Sequence, residues 1–360
     1  MQKDSYTFLE QLLETPSPSG FEQAIQRVVK KRVTKFADEV SLDVHGNLIA
    51  CFNPNGKIRV MLAGHCDQIG MMVTHIDEQG YIYVNQIGGI DSAVLPGTYL
   101  TVHTESGPID GIIGFKPVHL TSAAERGKPI EFNKVWVDIG AKSGEEARKL
   151  VSMGDTITFK LGVTELRNGL IASPGCDNKV GTFVVMEAMR LVAQKIKGAN
   201  KKKFPVALYS VSTVQEEIGL RGAKTSAYGI DPHVGIAVDV THASDNPGAD
   251  AKRIGTIKMG AGAGVARGPN INPVLENLVR TTAKKKKLPI QLYASPGATG
   301  TDANAIQVSR AGVAAGLISI PNRYMHTPVE MVSLSDLEVA SKLLCETILS
   351  ITSRMDFIPR

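Results

Sequence analysis

Cysteine is scarce: Cys51, Cys66, Cys176 and Cys345 are the only four in 360 residues, and no CxxC pair occurs. So sparse a set is no disulfide scaffold, and a reduced, cytoplasmic chain is the expectation. No uncharged apolar run approaches the ~20 residues of a membrane span. The first residues open an amphipathic pattern rather than an apolar h-region, so neither a signal peptide nor a membrane partner is expected. Aromatic residues are only 5% of the chain, and 40 Lys+Arg against 35 Asp+Glu leave a net charge of +5. Much of that excess sits in the lysine runs 201–203 and 284–287, which read as solvated helix ends or loops. With no basic stripe interleaved with aromatics, nucleic acid is not an expected partner. What is present is globular: 43% hydrophobic and 21% charged residues supply a large core and exclude a disordered or fibrous chain.

Apolar residues at helical spacing mark amphipathic helices over 5–14, with Asp4 as N-cap, and over 21–36. Strand-like runs follow at 40–44, 47–52 and 58–63. Between about 71 and 161 the character changes to short β-branched runs punctuated by Gly, Pro and Asp, as in a small β-barrel or sandwich. From Asp177 onward buried strands alternate with helices again, ending in a helix over 337–352 capped by Ser335 or Asp336. The pattern predicts an α/β fold with a mixed, mostly parallel sheet flanked by helices, carrying an inserted small β-barrel domain. The expected division is 1–70 and 165–360 for the main domain and 71–164 for the insertion.

Polar clusters fall at strand ends or in nearby loops: Gly64-His65-Cys66-Asp67, Pro174-Gly175-Cys176-Asp177-Asn178, Gln215-Glu216-Glu217-Ile218-Gly219, Val238-Asp239-Val240 and Arg323-Tyr324-Met325-His326-Thr327. Loops at the carboxyl ends of strands in an open α/β sheet converge on one crevice, so these residues can meet although they span the chain. Any one cluster alone reads better as a turn or a satisfied polar group. All together, two histidines and several carboxylates suit Zn²⁺, Co²⁺ or Mn²⁺. The set exceeds what one ion needs, and two ions sharing a bridging carboxylate fit the count. Such a pair can hold a bridging water and lower its pKa toward ~7. Asp67, two residues beyond His65 in an extended segment, can accept the second ring N–H of that histidine. Of the adjacent Glu216 and Glu217, at the turn after a strand, one can bind metal while the other acts as general base.

These motifs, with Arg221-Gly222-Ala223, Arg267-Gly268-Pro269-Asn270 and Gly300-Thr301-Asp302-Ala303, resemble the dinuclear-metal aminopeptidases that build tetrahedral (TET-type) particles. This is the glutamyl or deblocking aminopeptidase group, sometimes mislabelled as endoglucanases. The resemblance covers nearly the whole chain and implies two divalent ions per subunit. It assigns His65 and Asp239 to one ion, Glu217 and His326 to the other, Asp177 to the bridge, Glu216 as general base and Asp67 as the partner of His65. It also implies peptide substrates, dimerisation through 71–164 and a homododecamer.

Other readings compete. A glycoside hydrolase using Glu216 and Glu217 would need carboxyls flanking a sugar, ~5 Å or ~6.5–9.5 Å apart, and adjacent residues on one turn are poorly placed for that. A two-metal deacylase or carboxypeptidase and a non-catalytic assembly protein are further alternatives. His242 is expected to be structural or to support the site, Cys66 and Cys176 to be small buried side chains, and Asp302 to cap the following helix. Gly260-Ala261-Gly262-Ala263-Gly264 does not complete a dinucleotide fingerprint.

Overall fold

The computed structural model describes residues 1–122 and 130–360, so 123–129 of the expected insertion lie outside it. Helices α1 (Lys3–Glu14) and α2 (Gln23–Val33) lead into strands β1 (Glu39–Leu42), β2 (Leu48–Phe52) and β3 (Ile58–His65). The chain then leaves the sheet for β4 (Gly70–Ile76), β5 (Ile82–Ile87), β6 (Tyr99–Thr104), β7 (Gly107–Ile113), β8 (Trp136–Asp138), α3 (Gly144–Leu150) and β9 (Thr156–Phe159). Short strands β10 (Thr164–Glu165) and β11 (Leu170–Ala172) bring it back to α4 (Cys176–Lys195) and α5 (Ala199–Lys203). Then follow β12 (Val206–Thr213), α6 (Arg221–Ile230), β13 (Val234–His242), α7 (Ala251–Ile254), β14 (Ala263–Arg267), α8 (Pro273–Lys286) and β15 (Ile290–Ala294). The chain closes with α9 (Asp302–Gln307), β16 (Ala314–Asn322), β17 (Met331–Ser333) and α10 (Leu334–Ser350).

Eight strands form the main sheet in the order β1-β2-β12-β3-β13-β16-β14-β15. Its centre, β12-β3-β13-β16, is parallel throughout, which aligns four strand carboxyl ends on one edge. Helix α4 is buried over most of its length, with Val180, Phe183, Val184, Met186 and Met189 in the core and its polar Thr182 and Glu187 hydrogen-bonded to neighbours. It lies against β3 and β13, with α1 and α10 beside it. Gly64 and Gly181 permit this packing: a Cβ on Gly64 would stand 2.5 Å from the Gly181 carbonyl carbon.

The strands between Gly70 and Phe159 close into a six-stranded antiparallel barrel, β4-β5-β8-β7-β6-β9. Closure leaves no free edge for pairing with another chain. Its interior, with Met71, Val84, Leu100, Val137 and Ile157, is a hydrophobic cluster separate from that of the main sheet.

Local expectations fail mainly at helix starts and at strands that the apolar pattern does not announce: β4, β10, β11, β14 and β17. Strand β4 was not anticipated, because its pattern is broken by exposed Thr74 and His75. Helix α1 begins ahead of Asp4, with Gln2 at the cap and Asp4 drawn into an ion pair with Arg32. Helix α9 is capped by Thr301, whose hydroxyl accepts from the Ala303 N–H, whereas Asp302 turns inward and is buried. Helix α10 starts at Leu334, and the Asp336 carboxylate instead accepts the Gly260 and Gly262 N–H groups at 2.7 and 2.8 Å.

Candidate metal centre

The aligned strand ends assemble the site. His65 is the last residue of β3 and pairs in register with Thr213 of β12, after which the chain turns through Gln215, Glu216 and Glu217. The β13–β3 register places Asp239 level with His65 on the neighbouring strand. Asp177 lies in the irregular first turn of α4, and His326 in the loop after β16. Asn178 ties that turn to the sheet, its amide donating to the Val238 carbonyl at 2.7 Å.

Distances define two linked sets of donors. His65 Nε2 is 3.3 Å from Asp177 Oδ1, 3.7 Å from Asp239 Oδ1 and 3.7 Å from Glu216 Oε2. His326 Nε2 is 3.3 Å from the other Asp177 oxygen and 3.5 Å from Glu217 Oε2. Each oxygen of Asp177 thus faces a different histidine. The opposite ring nitrogens are engaged with backbone: His326 Nδ1 lies 2.7 Å from the Gly89 carbonyl and His65 Nδ1 3.1 Å from the Asp67 carbonyl. A neutral imidazole donating through Nδ1 carries its lone pair on Nε2. Lone pairs then face carboxylate oxygens, a repulsive arrangement that a cation relieves. With metal–ligand bonds of ~2.1 Å, tetrahedral ligand atoms stand roughly 3.4 Å apart, close to these separations. Glu217 Oε1 is buried with no hydrogen-bond partner, as a ligand oxygen awaiting an ion would be. The donor set fits divalent ions of the zinc class.

Electrostatics agree. Burial pushes the carboxyls of Glu216 (to about 10), Glu217 and Asp239 upward, and neighbouring carboxylates add to the rise while His65 acts against it. At Asp177 burial acts the same way, but in the metal-free protein the His326 and His65 rings, when protonated on Nε2, outweigh it and hold the carboxyl below its usual range; an ion would take the place of those protons. Fixed positive charge would bring the raised carboxyls back to the ionised form.

Asp67 does more than its spacing from His65 suggested. Its carboxylate is 3.4 Å from His65 Nδ1, farther than its own backbone carbonyl. The same carboxylate accepts the Glu216 and Glu217 N–H groups at 3.0 and 3.2 Å and the Ser19 hydroxyl at 2.7 Å. It therefore locks the glutamate turn against the histidine strand. Glu330 was missed altogether. Buried, it accepts the Asp177 N–H on one oxygen and the His326 N–H on the other, both at 2.8 Å. Its sequence context, Pro-Val-Glu-Met, carries no signal. Gly88 and Gly89, at the end of barrel strand β5, also reach the centre: a Cβ on Gly88 would stand 3.3 Å from Glu217 Cβ. His242, expected in a supporting role, is exposed and lines the pocket.

The centre opens into a pocket of about 520 Å³, whose walls include Leu220, Val240, Thr299, Thr301 and Met325. A larger cavity of about 630 Å³ lies at the opposite ends of the same strands, beside Arg59, His233 and the C-terminal segment, and among the described residues it holds no comparable donor cluster. This fold and centre define a hydrolase of the metallo-exopeptidase type.

Residues 46–343 match the M42 glutamyl aminopeptidase family, and the chain belongs to that family. It is a metal-dependent aminopeptidase. The chain is 38% identical to the lysyl aminopeptidase of Pyrococcus furiosus, covering 98% of this chain and 99% of that protein. The crystal structure of a TET aminopeptidase from a marine sediment archaeon, Thaumarchaeota archaeon SCGC AB-539-E09, superposes with a TM-score of 0.91 at 36% identity over 97% of each chain. The TET1 peptidase of Pyrococcus horikoshii, which can assemble into a tetrahedron or a large octahedral shell, follows with a TM-score of 0.83 and 30% identity over 96% of this chain and all of that one.

Proposed function

We propose that this chain removes N-terminal residues from peptides with two divalent ions, Zn²⁺ or Co²⁺ with Mn²⁺ as a third choice, held in the order His65 and Asp239, bridging Asp177, Glu217 and His326. The observation that carries this reading is the split of the Asp177 carboxylate, one oxygen 3.3 Å from each histidine. Such a pair of ions supplies a nucleophilic water at neutral pH and polarises the scissile carbonyl. The protein's own groups do the rest. Glu216, beside His65 and outside the bridging set, takes the proton of the attacking water and returns it to the departing amine. The Asp67 backbone carbonyl orients His65, and the Asp67 carboxylate holds the Glu216 backbone, which fixes the point from which the base reaches the water.

Residues 71–164, containing the barrel, form the inserted dimerisation domain of this proposal, and 1–70 with 165–360 the catalytic one. Support comes from apolar side chains left in solvent on the barrel and its flank: Tyr99 and Ile112, which are cross-strand partners, with Phe115 and Leu120. Dimers then assemble into a dodecamer, as tetrahedral assembly of the Pyrococcus horikoshii relative suggests. Cytoplasmic location is supported by four free, buried cysteines. Among the described residues no helix is long and apolar enough to cross a membrane.

The test is metal removal and restoration on the full chain. Chelation abolishes cleavage of free-amine peptides, and titration with Zn²⁺ or Co²⁺ restores it at two equivalents per subunit. Glu216→Gln keeps both ions and loses turnover by ~10²–10⁴-fold. Undiminished activity in the variant removes Glu216 from the role of base, and restoration at one equivalent removes the ion pair.

A further inference from the structure

The walls of the catalytic pocket carry chemistry that the metal centre does not use. Leu220, Val240 and Met325 give it apolar surface. Thr299 and Thr301 are polar, but their hydroxyls are already engaged. Thr299 Oγ1 lies 2.7 Å from Asn270 Oδ1 and 2.8 Å from both Asn304 Oδ1 and Thr301 Oγ1. Apart from the metal-centre residues themselves, no Lys, Arg, Asp or Glu lines this pocket among the described residues, and His242 is its single titratable side chain. Of the charges near it, Arg323 and Asp245 neutralise one another, through Nε at 3.0 Å and Nη2 at 2.8 Å; Arg221, next to Leu220, is exposed to solvent, and Asp302, next to Thr301, is buried. The carboxylates of the centre are committed to the ions and to proton transfer. A charge of either sign on the first side chain of a substrate therefore loses its hydration without gaining a partner.

We infer that this site takes peptides whose first residue is uncharged and apolar, of the leucine and methionine class, with Leu220 and Met325 as specificity-determining side chains. The inference rests on the aminopeptidase reading above and adds its substrate class. Neither the lysyl preference in the name of the Pyrococcus furiosus relative nor the glutamyl one in the family's description has a matching charge in this pocket. Leu220 is well placed for the part, standing at the entry to α6, four residues after Glu216, in a left-handed backbone conformation at φ 58°. That conformation also makes it testable, because aspartate tolerates left-handed backbone and is a good N-cap.

The experiment measures kcat/KM of the metal-loaded, full-length protein on leucyl-, methionyl-, lysyl- and glutamyl-amidocoumarin. Leucyl and methionyl substrates should exceed lysyl and glutamyl ones by ~100-fold, the size of discrimination a pocket of this kind gives. Equal or faster cleavage of the lysyl or glutamyl substrate overturns the inference and leaves the aminopeptidase reading standing. No turnover of any free-amine substrate, with N-acylated peptides cleaved instead, overturns both. Leu220→Asp should raise the lysyl-to-leucyl ratio about tenfold, and Met325→Glu should act in the same direction. A fold defect lowers both rates together and leaves the ratio unmoved, so unchanged ratios in two variants that keep native thermal unfolding overturn the assignment of these residues.

Discussion

Replacing Glu330 with alanine should weaken metal binding although the residue touches no metal-site side chain. Its carboxylate is buried and accepts one backbone N–H from each of two neighbours, Asp177 and His326. Those two residues are the bridge and a terminal donor of the proposed centre, and they come from segments about 150 residues apart in sequence. His326 also takes left-handed backbone, at φ 61°, as does Tyr324 at φ 63°, so the loop needs an external hold. Hydrogen bonds to a charged acceptor contribute about 1.5–3 kcal/mol each. Losing both leaves two inward-facing donors without partners, at about 1–3 kcal/mol apiece, partly offset because a buried charge is also removed. Burial, then the nearby Asp177 charge, pushes the Glu330 carboxyl up to about 8 in the metal-free protein, and the two N–H groups act against that rise; positive charge at the centre would return it to the ionised form that this sum assumes. Supporting groups of this kind typically change metal affinity by ~10–100-fold. Glu330→Ala should fall near the upper end and Glu330→Gln, which keeps one acceptor oxygen, near the lower. Competition with a chromogenic chelator reads the affinity of each ion, and thermal unfolding of the metal-free proteins reads the fold. Native affinity for both ions in Glu330→Ala would refute the reasoning.

Further consequences concern the body and the barrel. Glu187 is buried in a cluster with Arg32 at 2.7 Å, Arg190 at 2.8 Å and the Ser5 hydroxyl at 2.7 Å. Burial raises its carboxyl, but the hydrogen bonds from Arg190, Arg32 and Ser5 win and lower it. A lowered carboxyl contributes stability that is complete above its unfolded value of ~4.5 and disappears as pH falls through the folded value. Glu187→Gln should therefore cost about 3–5 kcal/mol in urea unfolding at pH 7. The variant should also decline less steeply than the native chain below pH 4.5, and parallel acid curves would contradict this. Ile112→Asp, on the exposed face of the barrel, should shift the particle toward smaller species in light scattering without altering the metal content per chain; an unchanged mass would remove this face from the assembly contact. Gly88→Val must push on Glu217 and Ile69 from a backbone at φ 76°, and should lower the occupancy of one ion while the other stays bound. Loss of neither ion in metal analysis would show that the barrel loop does not support the site.

Much of the fold is legible because it rests on periodicity. The apolar runs that become β3, β12, β13 and β16 are continuous, as strands buried on both faces must be. The resemblance of the polar clusters at their ends to a known family then named His65, Asp177, Glu216, Glu217, Asp239 and His326, side chains that lie close together in the structure. Capping was less legible. Asp4, Asp302 and Asp336 all look like helix starters, yet each carboxylate is claimed by a distant partner: Arg32, the Thr213 hydroxyl and the Gly260–Gly262 loop. N-cap preference is worth about 0.5–2 kcal/mol, and the buried carboxylates of Asp302 and Asp336 need their partners more than that, whereas Asp4 is exposed and its ion pair with Arg32 opens to the surface. Glu330 was illegible because its carboxylate binds the backbone N–H groups of Asp177 and His326, and Gly88 and Gly89 because they act through backbone; a contact to backbone leaves no residue-type signature in one sequence.

The chain's own pattern of apolar runs and terminal polar residues determined an α/β sheet, a β-rich segment within it and the chemical kind of the site, since hydrophobic periodicity and donor type are properties of residues. Which oxygen of Asp177 faces which histidine, how Asp67 and Glu330 clamp segments remote in sequence, and that among the described residues the pocket walls beyond the metal centre carry no Lys, Arg, Asp or Glu were decided only by tertiary structure. Those are relations of distance and direction between side chains on separate elements, and they come into being when the four parallel strands align their ends.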